Sequence, residues 1–215
     1  LHARKNRIEY NEIYRVMLEL HDGNGIYFSA MRKNNRAVRN YLHDIYNSRG
    51  YIRLDDVSGY TIITHNVGIR GSRMMQIKGP GEIRNNFAID TELFIARRWS
   101  QTEIDNFVLY NTPQGEGHFN QYDRFPDVEM IYEFFDRVSN SLIYVEEPPE
   151  EIKPGQDVIA PGKRGEADVG MLFADPMFDT EAMKHQIFTF KPGSPAPGLG
   201  IEPIDLRLAG STLAE

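Results

Sequence analysis

Apolar residues recur at helical spacing in three stretches of the chain. From Ile8 to Leu20, Ile13, Val16, Met17 and Leu20 fall on one side, and the pattern predicts a helix that Gly23 and Gly25 stop. From Asn35 to Ser48 the stripe is Val38, Leu42 and Ile45, with Tyr41 and Tyr46 beside it and Gly50 near the expected C-terminus. From Asp127 to Leu142, Val128, Ile131, Phe135, Val138 and Leu142 mark one face, and Pro126 suits the start. Ser100 and Glu103 stand at capping-box spacing, so a short helix is expected there too.

Between these stretches the pattern changes to short runs of Ile, Thr, Tyr and Val. "YIRLDDVSGYTIITHNV" (51–67) reads as a β-hairpin about "DDVSG". "RMMQIKGPGEIRNNFAIDTELFIARRW" (73–99) reads as a second strand pair turning at Gly79-Pro80-Gly81, with Phe87, Ile89, Leu93 and Ile95 mostly at even spacing. The expected fold is α+β: a mixed or antiparallel sheet packed with about three helices, filling a body at 7–145.

After Val145 the composition shifts. "EEPPEEIKPGQD" is acidic and proline-bearing, and nine of the twelve prolines lie at or beyond residue 148. Residues 146–215 therefore read as an extended, irregular C-terminal arm. The arm also carries Met171, Leu172, Phe173, Met177, Phe178, Ile187, Phe188 and Phe190. Plain disorder does not call for such groups. The expectation is that they are buried against the body or a neighbouring subunit, with Phe173, Phe178, Phe188 and Phe190 as candidate interface residues.

Composition narrows the class. At 215 residues with 40% hydrophobic positions, the chain can bury a core. It has no apolar run long enough for a membrane span and no cysteine, which excludes disulfides and thiolate chemistry. The opening "LHARKNRIEYNE" lacks the apolar stretch of a signal peptide, and its first residue suggests a trimmed precursor or a non-AUG start. Net charge is -7 but polarised: residues 1–70 hold 11 Lys/Arg against 7 Asp/Glu, and residues 146–215 hold 6 against 13. Such polarity suits head-to-tail attraction between subunits.

Catalytic patterns are missing. "GIRGS", "KGPGE" and "APGKRG" fit neither the P-loop nor the dinucleotide fingerprint. No histidine pair stands at metal-ligand spacing on one helix, and the Glu181/His185 pair alone does not make a zinc site. No nucleophile elbow occurs, and the pairs Asp55-Asp56 and Glu150-Glu151 sit in a turn and a linker. No catalytic, cofactor or metal residue is assigned.

"MRKNNRAVRNYLHDIYNSRGYIRLDD" gathers Arg32, Lys33, Arg36, Arg39, Arg49 and Arg53 about a predicted helix followed by a predicted hairpin. This order at 8–66 resembles a winged helix, which would set Arg32, Lys33, Arg36 and Arg39 against nucleic-acid phosphates. Asp55 and Asp56 at the supposed wing tip oppose that. The leading expectation is a non-enzymatic structural subunit of a large multi-subunit assembly, in concrete form a virion component of the phage neck, tail or capsid-associated kind. Its partners would be copies of itself and other subunits. The alternatives are a winged-helix-like nucleic-acid-binding protein, or an accessory subunit of an organellar complex; localisation is then the virion, or else an organelle or the cytoplasm.

Overall fold

The computed structural model describes residues 3–20, 22–30, 33–46, 50–56, 58–71, 73–91, 102–110, 137–144, 157–159 and 170–211. The chain winds through short strands, coil after coil. The first coil holds β1 (Arg7–Glu9), β2 (Glu12–Tyr14) and β3 (Ile26–Phe28). The second holds β4 (Asn35–Val38), β5 (Tyr41–Ile45) and β6 (Ile52–Leu54). The third holds β7 (Thr61–Thr64), β8 (Val67–Gly71) and β9 (Met75–Ile77). Then come β10 (Gly81–Arg84) with β11 (Phe87–Ile89), β12 (Thr102–Asp105) with β13 (Val108–Tyr110), and β14 (Arg137–Ser139) with β15 (Ser141–Tyr144).

Equivalent strands of successive coils pair in parallel. The first sheet runs β1-β4-β7-β10-β12-β14, and the third runs β3-β6-β9. The second runs β2-β5-β8-β11-β13-β15 and is extended by β17 (Gly170–Phe173), with β16 (Asp157–Ile159) antiparallel at its end. This is a parallel β-helix, a solenoid in which each coil buries its apolar face only by stacking on its neighbours.

Side-chain alternation sorts the faces. Ile8, Ala37, Ile63, Ile83 and Ile104 are register partners along the first sheet, and Ile13, Leu42, Gly68, Ala88, Leu109 and Ile143 along the second. With Ile26, Phe28, Ile52, Leu54, Met75 and Ile77 of the third sheet, most of these form the interior core. Tyr51 is fully buried there and its hydroxyl donates to the Ile69 carbonyl at 2.8 Å. Gly68 and Gly71 make that possible, because a Cβ on either would overlap the Tyr51 ring or hydroxyl.

The bend between first and second sheets is set by a repeated two-residue turn. Tyr10, Arg39, His65, Asn85, Asn106 and Asn140 all have φ between 49° and 57°, in the left-handed region. Four are followed by asparagine: Asn11, Asn40, Asn66 and Asn86. These stack as a ladder. Each of the first three donates from its backbone N–H and its Nδ2 to the Oδ1 of the asparagine one coil on, at 2.8–3.1 Å. Asn40, Asn66 and Asn86 are wholly buried, so the ladder satisfies polar groups that the bend would otherwise strand.

The α+β expectation is overturned. Residues 8–14 form most of β1, the turn and β2, residues 15–20 are irregular, and residues 35–45 form β4, a turn and β5, where helices were expected. Residues 102–105 are strand, and of the helix expected at 127–142 residues 137–139 and 141–142 are strand while 127–136 lie outside the described residues. The two expected hairpins are also absent: β6 and β7 belong to different sheets, as do β9 and β10. The reason is a phase slip. Strand alternation has period two, but each left-handed bend inserts an offset, so inward residues such as Ala37, Asn40, Leu42 and Ile45 fall at spacings that imitate a helix. The helices of the supposed winged helix at 8–66 are these strands.

The C-terminal stretch is structured where it is described. Beyond β17 come a one-turn helix α1 (Thr180–Met183), capped by Asp179, and an antiparallel pair β18 (Ile187–Phe188) and β19 (Ile204–Asp205). A short 3-10 helix at Ala196–Leu199 ends on Gly200, whose φ of 74° suits glycine.

Candidate interaction surfaces

The outer faces of the first two sheets differ, and the difference decides what the C-terminal segment does. Outside the first sheet stand Arg7, Arg36, Ile62, Glu82 and Glu103 in one register row, a mostly charged, solvated column. Outside the second stand Tyr41, Val67, Phe87, Val108 and Leu142, an apolar column that water would meet unless covered. Residues 178–209 cover it. Phe178, Phe188, Ala196, Ile201, Ile204, Leu206 and Ala209 join that column in a second buried cluster. Phe178 meets Phe87 at 5.5 Å and Tyr110 at 5.3 Å between ring centroids, and Phe188 meets Tyr41 at 5.9 Å.

The candidate interface residues are thus placed. Phe178 and Phe188 are buried against the chain's own second sheet, and Phe190 stacks on Phe178 at 5.1 Å. Phe173 ends β17, opposite Ile143 in register.

The left-handed turn residues serve the covering segment as well as the bend. Asn106 Nδ2 donates to the Leu199 carbonyl at 2.6 Å. Asn85 exchanges two hydrogen bonds with the Glu202 main chain, at 2.9 and 3.0 Å. His65 Nε2 lies 3.2 Å from a Glu202 carboxylate oxygen, and Gly210 N–H donates to the Tyr10 carbonyl at 2.9 Å. The segment therefore runs back along the solenoid from the fifth coil to the first.

Two ionic clusters decorate the outside. On the second sheet, Arg70 forms a two-pronged pair with Asp44 at 2.9 and 3.1 Å. His43 lies between Asp44 (2.7 Å) and Glu12 (3.1 Å), and its ring stacks on Tyr14 at 4.9 Å. The Arg70 hydrogen bonds, helped by His43 and opposed by burial, hold the Asp44 carboxyl down at about 2. On the third sheet, Asp55 accepts from Lys78 Nζ at 2.7 Å, from Arg53 at 2.9 Å and from the Tyr27 hydroxyl. Burial would raise the Asp55 carboxyl, but those donors outweigh it and the shift is downward. Each charge in these clusters meets an opposite one, as in structural ion-pair networks. Among the described residues no group of three or more His, Asp and Glu is arranged to hold a metal ion, and no helix is long and apolar enough to cross a membrane.

The basic residues proposed for phosphate contact do not share a helix. Lys33 lies in the turn before β4, Arg36 points outward from it, and Arg39 occupies a left-handed turn with its guanidinium over the Tyr10 ring at 6.0 Å. Arg32 lies outside the described residues.

A surface that sequence reasoning missed lies on the first described coil. Among the described residues the exposed large hydrophobic side chains are Tyr10, Tyr14, Leu18, Leu20, Tyr27, Tyr46 and Leu208. The first five belong to the first coil, and Leu208 precedes the Gly210 bond to that coil. Leu20, expected on the buried face of a helix, is 73% exposed, and Leu18 beside it is 69% exposed. No family model matches this sequence, and no curated protein or solved structure is similar to it.

Proposed function

We propose that this chain is a non-enzymatic structural subunit of a large multi-subunit assembly. The observation that carries the reading is the gathering of exposed apolar side chains on the first coil, while the long apolar face of the second sheet is covered by the chain itself. Exposed large apolar side chains gathered on one coil suit an interaction site. The polar chemistry supports the same reading: the asparagine ladder, the Asp44–Arg70 pair and the Asp55 cluster are spent on holding coils together. The concrete form proposed is a virion component of the neck, tail or capsid-associated kind. That step rests on analogy of architecture, since a solenoid is a stiff, elongated element and one fold serves many functions.

Sedimentation velocity on the protein isolated from its native source tests this. The reading requires a discrete species many times the 24.7 kDa of one chain. A lone 24.7 kDa monomer at all concentrations, with no associated chains, would refute it.

A further inference from the structure

We infer that the outer face of the first sheet binds the same face of a second copy of this chain, across a two-fold axis at Ile62. This goes beyond the assembly reading and uses a surface other than the apolar side chains of the first coil. One outward row runs in register through Arg7, Arg36, Ile62, Glu82 and Glu103. Its signs are positive, positive, uncharged, negative, negative. Arg7, Arg36 and Glu103 are exposed, and Ile62 and Glu82 are half-buried. Equivalent strands stack without register offset, so at about 4.8 Å per strand the five positions span about 19 Å.

Such a row is complementary to itself. A half-turn about the strand direction through Ile62 sets Arg7 of one copy opposite Glu103 of the other, Arg36 opposite Glu82, and Ile62 opposite Ile62. Each charge pairing then occurs twice, as an isologous contact requires. Other occupants fit less of the row. A phosphate backbone would meet Arg7 and Arg36 but be repelled by Glu82 and Glu103. An apolar helix would find a single apolar side chain, Ile62. Arg36 is the sharpest case, because its guanidinium has no carboxylate partner among the described residues, and the half-turn supplies one.

The adjoining outward row, Glu9, Val38, Thr64, Arg84 and Asp105, largely serves its own chain. Glu9 pairs with Arg7 at 2.8 Å and Arg84 with Glu82 at 3.1 Å, and Asp105 accepts from the Ser139 hydroxyl and Asn140 Nδ2 at 2.9 and 3.1 Å. The half-turn sets Glu9 opposite Asp105, a like-signed meeting that these donors soften. Arg137, next in backbone register after Glu103, falls past Arg7 of the second copy, opposite no described coil. Two rows of this length make a small face beside the roughly 800 Å² per partner of a standard interface, so charge pairing carries the affinity and salt weakens it.

Sedimentation velocity on the full-length chain tests this. A monomer–dimer equilibrium is expected at about 0.01 M salt, shifting to the 24.7 kDa monomer at about 1 M. Arg36→Glu and Glu82→Arg should each weaken dimerisation at least about tenfold, and the two together should restore it to within about threefold. Within one chain Ile62 separates the two positions, so restoration acts between copies. The sequence has no cysteine, so Ile62→Cys should cross-link to its own counterpart through a short bis-maleimide. Arg7→Cys, displaced about 19 Å along the column from its counterpart, should not. A monomer at every concentration and salt, a dimer indifferent to Arg36→Glu, reversals without restoration in folded variants, or no cross-link at Ile62→Cys would each overturn the proposal. The cross-link alters no charge and decides the matter if a reversal variant fails to fold. A dimer lost in Leu20→Glu but kept in Arg36→Glu would overturn this face and leave the assembly reading standing. A dimer with the expected properties and no larger native species would uphold this face and refute the assembly reading.

Discussion

Asn66→Ala removes the middle of the buried ladder. The Asn66 side chain accepts from Asn40 N–H (3.0 Å) and Asn40 Nδ2 (2.9 Å), and donates to the Ala37 carbonyl (2.9 Å) and Asn86 Oδ1 (2.9 Å). After the change the Asn40 backbone N–H and the Ala37 carbonyl lose these partners in the interior, and alanine cannot admit the same bonds. An unsatisfied buried group costs about 1–3 kcal/mol, so the loss should be about 4 kcal/mol. Asn11→Ala is the control. Asn11 is exposed and donates from Nδ2 to Asn40 Oδ1 and the Glu9 carbonyl, while its backbone N–H still reaches Asn40. Its loss should be about 1 kcal/mol. Urea denaturation of both variants, with the slope checked for constancy, reads the difference. The melting temperature of Asn66→Ala should fall by about 10 °C. Equal losses for Asn66→Ala and Asn11→Ala would refute the ladder as the element that fixes the bend.

Other outcomes follow from the same geometry. Gly68→Ala sets a methyl against the Tyr51 ring and Met74 sulfur, and should destabilise by about 1–3 kcal/mol in the same assay. Phe188→Ala empties a site 1% exposed between the C-terminal segment and Tyr41, and should cost about 3–5 kcal/mol and speed proteolysis of residues 176–211; no change in either would mean the segment does not hold the second sheet. Asp44 sits at about 2 when folded against an ordinary value near 3.8, so its pairing with Arg70 stabilises the fold above about pH 4 and is lost as pH falls toward 2. Denaturation at pH 5 and pH 2.5 should show the wild type losing more stability than Asp44→Asn, by about 1–2 kcal/mol.

The solenoid left a trace in the sequence, though not at a fixed period. "YNEIY", "RNYLH", "HNVGI" and "NNFAI" each set a left-handed residue and a ladder asparagine before an alternating strand, and "NSLIY" sets a left-handed residue and Ser141 there, whose Oγ accepts from the Phe107 N–H. The intervals vary because the segments between second- and first-sheet strands differ in length, so self-similarity is local and easily read as separate helices. Apolar content correctly marked Phe178 and Phe188 as groups that must be buried, but composition does not encode which surface buries them. The exposed first coil was illegible for a related reason. Leu20 looks like a core residue in a helical pattern, yet the segment after β2 that carries it is exposed. The Asp44–Arg70 pair joins residues 26 positions apart, adjacent only once coils stack.

The sequence contains no cysteine, so a single one introduced at position 20 is a unique reporter of the first coil. The decisive measurement is the maleimide reaction rate of the Leu20→Cys protein, free and in its native assembly. An assembly that uses the exposed apolar side chains of the first coil requires the thiol to react freely in the isolated chain and at least about tenfold more slowly once assembled. Equal rates in the two states would contradict the account.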